Sequence, residues 1–500
     1  MDQSSFYPDY KNQTAVSKNA APFLVFFIGI LCFDLFQILY LPYINLLEGL
    51  GYDGMWYMEP SKVLFPKDVD HYHLFRILPS TLVYFLKKFF GFENTNPASV
   101  VMFQYLNLTV ILGSLFFAEA ISRFYSFGLR QKWFFYLLTY LNFFVWKESI
   151  FNPVMTDSVA LFVAIGLFYF TITNRTVWFS LFCLITWFVL PILSLVFIGE
   201  RILRRLDFSD IQYKPPFNIS KWLAIGVITG FISLLCLVVL YLGHRSVFVL
   251  PDRLNMWLFP ISAILLSITF YYVFTLFSDL FNRSLLAFKQ LTKLLCWEML
   301  LLVSLFTIQF ILVSNIGHPP TSFAGHFIFG VPISVTLKPM IGLFENVANC
   351  GLVVLFFVII LPPLIQAKRI SYQLLFITFV TAFFLLKPES RHTHIFMSAM
   401  GLIVVANFPA EKLTSSFLLS VFGFNFLFSK IWYPVHLAWF APGYVLFSKG
   451  ADESVFQEFP AQHYFMFQGL MISHTMYFLW LIPIAGAFWF VWKSVRTSTN

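Results

Sequence analysis

The chain has 500 residues, 59% of them hydrophobic and 11% charged, with a mean hydropathy of +0.78. A soluble surface takes about 25% charged residues, so this composition excludes a string of soluble domains and gives most of the surface to lipid. The formal charge of +8 and the pI near 9.1 do not point to nucleic acid. The basic residues sit in short loops between apolar runs, which is the positive-inside pattern of membrane proteins.

A polar tail, 1–20, precedes an apolar run from Ala21 to Tyr43. No cleavage-site pattern follows, so this run reads as a retained first span. Segment 72–91 is apolar but carries His73, Arg76, Lys87 and Lys88. It reads as an interfacial helix parallel to the membrane. Apolar runs continue at 97–122, 133–150, 155–173, 222–243, 256–281, 291–314, 347–366, 371–386, 393–408, 414–431 and 473–492. The run 176–199 is broken at Pro191 and reads as a shallow helical hairpin. The expected fold is all-α: a polytopic transmembrane helical bundle of about 12–14 spans, counted from runs of this length. Residues 21–431 form its core, and 432–500 supply a late outer loop, a final span and a short tail.

With the N-terminus in the cytosol, the inner loops hold Arg123, Arg130 and Lys132, then Arg201, Arg204 and Arg205, then Lys368 and Arg369, and finally Lys493 and Arg496. Reading 72–91 as a span would invert this pattern downstream. All 10 histidines then fall on the opposite, extracytoplasmic face, which is where any chemistry is expected. The 5 cysteines lie inside apolar runs with no CxxC spacing, so they form neither a disulfide framework nor a metal motif. No internal repeat, no pair of Gly/Pro-broken helices and no charge near mid-membrane stands out.

Ionisable groups near lipid are functional candidates by default, and they gather in three places. The first is GYDGMWYMEPSK, where Asp53 lies between Gly51 and Gly54, followed by Trp56, Tyr57 and Arg76. The glycines let the backbone bring a carboxylate against a bulky substrate, and a D-G turn with an aromatic belt is the plain alternative. The second is WKESIFNPVMTDSV, where Lys147, Glu148 and Asp157 bracket Asn152-Pro153. Asp157 also suits a helix N-terminus. The third is KPESRHTHIF, with Lys387, Glu389, Arg391, His392 and His394. A pair of cations there suits an anion such as a lipid phosphate, and a solvated turn is the alternative. The HxH pairs at 71–73 and 392–394 lack a third ligand at motif spacing.

The order of these features is similar to the GT-C superfamily of integral-membrane glycosyltransferases, which includes protein O-mannosyltransferases and lipid A aminoarabinose transferases. Asp53 of GYDGMWY stands where that family has an acid in the first outer loop, and FRILPSTLVYF, with Arg76 and Pro79, resembles its interfacial element. Asp157 matches an acid at the head of the fourth span, the hairpin at Pro191 resembles the paired short helices, and SRHTHIF resembles a late S-R-aromatic element. The likeness covers about residues 20–400. The chain departs in having D-G rather than a double acid, and in lacking a basic residue at the hairpin turn.

The resemblance implies a GT-C fold with interfacial helices in the first outer loop. It implies a glycosyltransferase that moves a sugar from a polyprenyl-phosphate donor to a glycan, lipid or protein acceptor, with inversion. Asp53 would be the general base. Arg391 would bind the phosphate, with Arg76 or Lys147 second, while Asp157 orients a partner and Glu148, His392 and His394 line the substrate site. No cofactor is expected, and a divalent metal is the alternative. The expected partners are the lipid-linked donor, the acceptor and membrane lipid, without nucleic acid. The expected location is a bacterial inner membrane with a periplasmic active face, or else the endoplasmic reticulum. A polysaccharide polymerase or ligase using the late loop, with His436 and His463, and a lipid or solute transporter are the competing readings.

Overall fold

A computed structural model describes residues 19–41, 54–64, 66, 69, 71–205, 226–227, 229–231, 258–277, 297–316, 338–366, 372–385, 391–432 and 474–496. Asp53, Lys387, Glu389, His436 and His463 lie outside these. All regular structure among the described residues is helical. In chain order the helices are α1 (Ala21–Tyr40), α2 (Gly54–Lys62), α3 (His71–Leu74), α4 (Ile77–Phe90), α5 (Asn96–Phe124) and α6 (Leu129–Tyr140). A π-helical turn (Phe144–Glu148) and α7 (Ser149–Phe151) precede α8 (Asp157–Ile172), α9 (Thr176–Trp187) and α10 (Pro191–Arg205). Then come α11 (Leu258–Leu276), α12 (Trp297–Asn315), α13 (Ile341–Cys350), α14 (Leu352–Gln366) and α15 (Tyr372–Phe384). The last are α16 (Arg391–His394), α17 (Met397–Asn407), α18 (Ser415–Ser429) and α19 (His474–Arg496).

Local chemistry sets several boundaries. Thr95 caps α5 by accepting from the Ala98 N–H at 3.4 Å, with Pro97 in the first turn. Gly91 ends α4 in the left-handed region (φ 71°), just after Lys87 and Lys88. Pro191 opens α10, so the broken run 176–199 is indeed two helices joined at 188–190.

Among the described residues, four helices are long and apolar enough to cross a membrane: 21–40, 96–124, 297–314 and 475–496. Other expected runs form shorter apolar helices, among them Asp157–Ile172 and Ser415–Ser429, and two runs are broken. The run 133–150 divides at Leu141–Phe143, and 347–366 divides at Gly351, whose φ of +79° and ψ of −155° only glycine adopts readily. Two discontinuous helices are therefore present where the sequence showed no such pair.

Lipid tails are as apolar as a protein core, so helix association in a membrane rests on close packing and interhelical hydrogen bonds. Phe134 is packed against Phe356, Phe408 and Phe417, joining α6, α14 and α18. Asn425 of α18 ties the two helix breaks together. Its amide donates to the Leu137 carbonyl at 2.8 Å, and its Oδ1 accepts from the Leu352 N–H at 2.8 Å. Both backbone groups belong to helix termini that lack an intrahelical partner. The basic ends are paired as well. Glu119 accepts from Lys132 and Arg123, each at 2.8 Å, and Lys132 is buried. Arg201 reaches Thr176 at 3.1 Å and Glu298 at 3.8 Å. Leu300, Val303, Phe306 and Phe310 of α12 are exposed, a row that suits lipid.

Candidate functional site

The site is built on the break after α6. Asn142 ends that helix and starts the next turn, since its amide donates to the Thr139 carbonyl at 2.9 Å and its Oδ1 accepts from Val145 N–H at 3.1 Å. The chain then runs through the π turn and the Asn152-Pro153 corner into α8. Irregular backbone at membrane depth must find partners within the protein. Three side-chain amides supply them. Gln37 of α1 donates to the Trp146 carbonyl at 3.0 Å. Gln104 of α5 donates to Ile150 O at 3.0 Å, and Asn107 donates to Ser149 O and Pro153 O at 2.7 and 2.9 Å.

This clamped segment presents Lys147, Glu148, Asn152 and Asp157. Glu148 is buried and accepts from the Asn152 amide at 3.0 Å. The charges of Asp157, Arg391 and Lys430 all act on its carboxyl. His394 stacks on Phe144 with ring centres 4.6 Å apart, meets the Arg391 carbonyl through Nδ1, and also touches the Asp157 backbone. Thus the second and third candidate segments, about 240 residues apart in sequence, form one cluster. Residues at this depth and density are functional candidates on physical grounds.

Lys430 completes the cluster. It ends α18 in the left-handed region (φ 55°), a conformation that costs a non-glycine residue of order 1–3 kcal/mol. Its ammonium donates to Asn349 Oδ1 at 2.6 Å and lies 4.4 Å from the Phe143 ring centre and 5.6 Å from that of Trp480. Glu148 and Glu345 both act on it. The sequence reading passed over Lys430, although it is the one charge in the run 414–431. It also passed over Asp34, the one charge in α1, which is fully buried and accepts from Gln37 at 3.1 Å. Asp34 is a charge inside a candidate span, against the expectation of none.

The other candidates occupy different places. Arg76 is buried beside α2 and donates to the Tyr57 hydroxyl at 3.3 Å. His73 stacks on Trp56 at 5.4 Å and meets Tyr57 edge-on at 5.2 Å. His392 stacks on Phe384 at 6.3 Å. Lys147 is 2% exposed and makes no hydrogen bond or ion pair among the described residues. Gly54, next in sequence to Asp53, packs on the corner before α8: a Cβ there would lie 3.1 Å from Val154 Cβ and 3.3 Å from its carbonyl oxygen. No group of three metal-ligating side chains occurs among the described residues. Lys87, in the short helix α4, is buried and donates to Asn94 at 2.8 Å and Ser99 at 2.6 Å. Burial pushes its pKa down to about 8, helped by the like charge of Lys62.

No protein family, curated protein or solved structure matches this chain.

Proposed function

We propose that the chain is an integral-membrane glycosyltransferase of GT-C type. The observation that carries this reading is the convergence of buried Glu148, Arg391, His394 and Lys430 with the half-buried Asp157 in one cluster, with Gly54 of the GYDG loop against the adjoining corner. In this reading a sugar enters on a polyprenyl phosphate from the bilayer. The acceptor hydroxyl attacks the anomeric carbon from the face opposite the phosphate. The new C–O bond forms as the carbon–phosphate oxygen bond breaks, and its electron pair leaves with the phosphate. Asp53 takes the hydroxyl proton as general base. Arg391 meets the growing charge on the leaving phosphate, and Asp157 and Glu148 orient the acceptor and the cations. His392 and His394 line the same side, and Arg76 assists from the α2–α4 layer. The active face is periplasmic in a bacterial inner membrane, or lumenal in the endoplasmic reticulum.

The test is sugar transfer from a panel of radiolabelled polyprenyl-phosphate sugars, comparing wild type with Asp53→Asn at equal expression. Loss of about 10²–10⁴ in rate supports the base. Transfer that survives the change removes Asp53 from that role, and absence of transfer from every donor sinks the enzyme reading.

A second reading, a lipid or solute transporter, is favoured by the two broken helices and the buried Asp34. Accumulation of label in sealed vesicles without a covalent product would select it. A polymerase or ligase centred on His463 would lose activity on His463→Ala while tolerating Asp53→Asn.

A further inference from the structure

We propose that the outward side of α2 is a carbohydrate-binding subsite, where a sugar ring stacks on the Trp56 indole beside Glu59 and Lys62. Trp56 and Glu59, one helical turn apart, are exposed, whereas Gly54, Tyr57, Met58 and Ser61 on the other side are buried. One face of the indole is already covered. The His73 imidazole lies nearly parallel to it, 5.4 Å away with 19° between the planes. His73 is braced in turn by Tyr57, edge-on at 5.2 Å, and the Tyr57 hydroxyl accepts from Arg76 at 3.3 Å. With that face taken, the 38% exposure of Trp56 belongs to the opposite face and the rim. A rigid aromatic plate open on one side suits the flat C–H face of a sugar ring, whose slightly positive hydrogens meet the negative face of the π system.

The polar groups beside the plate select the same ligand. Glu59 and Lys62 are joined at 3.1 Å and both reach solvent. The pair has no net charge and sets an acceptor beside a donor, which matches a sugar hydroxyl, since a hydroxyl both donates and accepts. A quaternary ammonium is taken by a cage of aromatic faces, and here one face is open and the acid is paired. The position of α2 also separates Trp56 from the bilayer. Leu82, Phe85 and Phe89 of α4 are exposed, opposite its buried Ser80, Val83 and Lys87. α2 is tied to the buried side, through Arg76 to Tyr57 and through Lys87 to Asn94, whose amide donates to the Lys62 carbonyl at 3.1 Å. It therefore stands away from the phenylalanines that suit lipid. Its first residue, Gly54, rests on Val154 at the corner before Asp157, so the plate borders the charged cluster. Sugar binding at Trp56 stands by itself. Its assignment as the acceptor subsite rests on the glycosyltransferase reading, and there it makes the acceptor a glycan rather than a protein or a lipid.

The test uses the full-length protein in phosphatidylcholine nanodiscs, with the methyl glycosides of glucose, galactose, mannose and N-acetylglucosamine and the disaccharides of each as probes. Saturation-transfer NMR reads both the affinity and which sugar hydrogens lie against an aromatic ring. At least one probe is expected to bind, with the strongest transfer to the C–H hydrogens of one ring face. Trp56→Ala should weaken that binding about tenfold or more, the scale of stacking on one aromatic plate. Trp56→Phe keeps a ring over His73 and should weaken it less, and Glu59→Gln should also weaken it. The proposal is overturned if no probe binds, or if Trp56→Ala, or Trp56→Phe and Glu59→Gln together, bind as the wild type does. It is equally overturned if brominated phosphatidylcholine quenches the fluorescence difference between wild type and Trp56→Phe, since the ring then sits among lipid. Binding without transfer from any donor keeps the sugar site and sinks the enzyme reading. Transfer that persists in Trp56→Ala with an unchanged acceptor KM keeps the enzyme and overturns the acceptor subsite.

Discussion

Replacing Lys430 with methionine keeps the length of the side chain and removes its charge. The ammonium donates to Asn349 at 2.6 Å and lies over Phe143 at 4.4 Å. A hydrogen bond from a charged donor contributes about 1.5–3 kcal/mol. A desolvated cation over an aromatic face contributes about 2 kcal/mol. The change also leaves Glu148 and Glu345 with one counter-charge fewer. The expected loss is about 3–5 kcal/mol, the sum of the hydrogen bond and the aromatic contact. Reversible unfolding in mixed micelles, followed by tryptophan fluorescence, measures it. The decisive comparison is a double-mutant cycle with Glu345→Gln. If Lys430 compensates Glu345, the second substitution costs less in the methionine background, with a coupling of about 0.5–3 kcal/mol. A Lys430→Met protein within about 0.5 kcal/mol of wild type, the size of an ordinary surface change, would refute the central role given to this lysine. Strict additivity of the two substitutions would refute an electrostatic coupling of Lys430 to Glu345.

Three other perturbations probe the frame around the site. Asn425→Leu leaves the Leu137 carbonyl and the Leu352 N–H unpaired, a loss of about 2–6 kcal/mol at about 1–3 per orphaned group. Asn425→Asp, which keeps only the acceptor, should fall between, as read from the yield of monodisperse protein on size exclusion. Gly54→Val drives side-chain atoms into Val154 and should cost about 1–3 kcal/mol by overpacking. Pairing it with Val154→Ala should restore most of the unfolding midpoint, and no recovery would mean the close approach is absent. Lys87 is held below its usual 10.5, at about 8, so between those values the unfolded chain binds more protons than the folded one. Stability contributed at this position therefore rises as pH goes from about 8 to 10.5. Lys87→Met should flatten that rise in a pH series of melting curves, and an unchanged slope would exclude Lys87 as its source.

Much of the helical plan was legible in the sequence because hydropathy is a local property. The apolar helix opening at Ala21, the break at Pro191, and the stop of α4 at Gly91 each depend on a few adjacent residues. The charged candidates at 147–157 and 391–394 were also legible, since an ionisable group in an apolar run stands out by itself. Lys430 and Asp34 obeyed the same rule and could have been found by applying it to every run. The helix breaks were harder to read. Asn142 interrupts α6 without glycine or proline, and Gly351 is one glycine among 23. Asn425 holds both breaks, reaching across 288 residues to Leu137 and 73 residues to Leu352.

The composition and the pattern of runs by themselves determined that this chain is helical and belongs in lipid, because hydrocarbon leaves the backbone few other ways to satisfy its polar groups. Only the tertiary structure decided that Glu148, Asp157, Arg391 and Lys430 share one cluster. Which face of a turn a side chain takes depends on long-range partners. Here those are the amides of Gln37, Gln104 and Asn107, whose effect on a segment over 40 residues away no local pattern encodes.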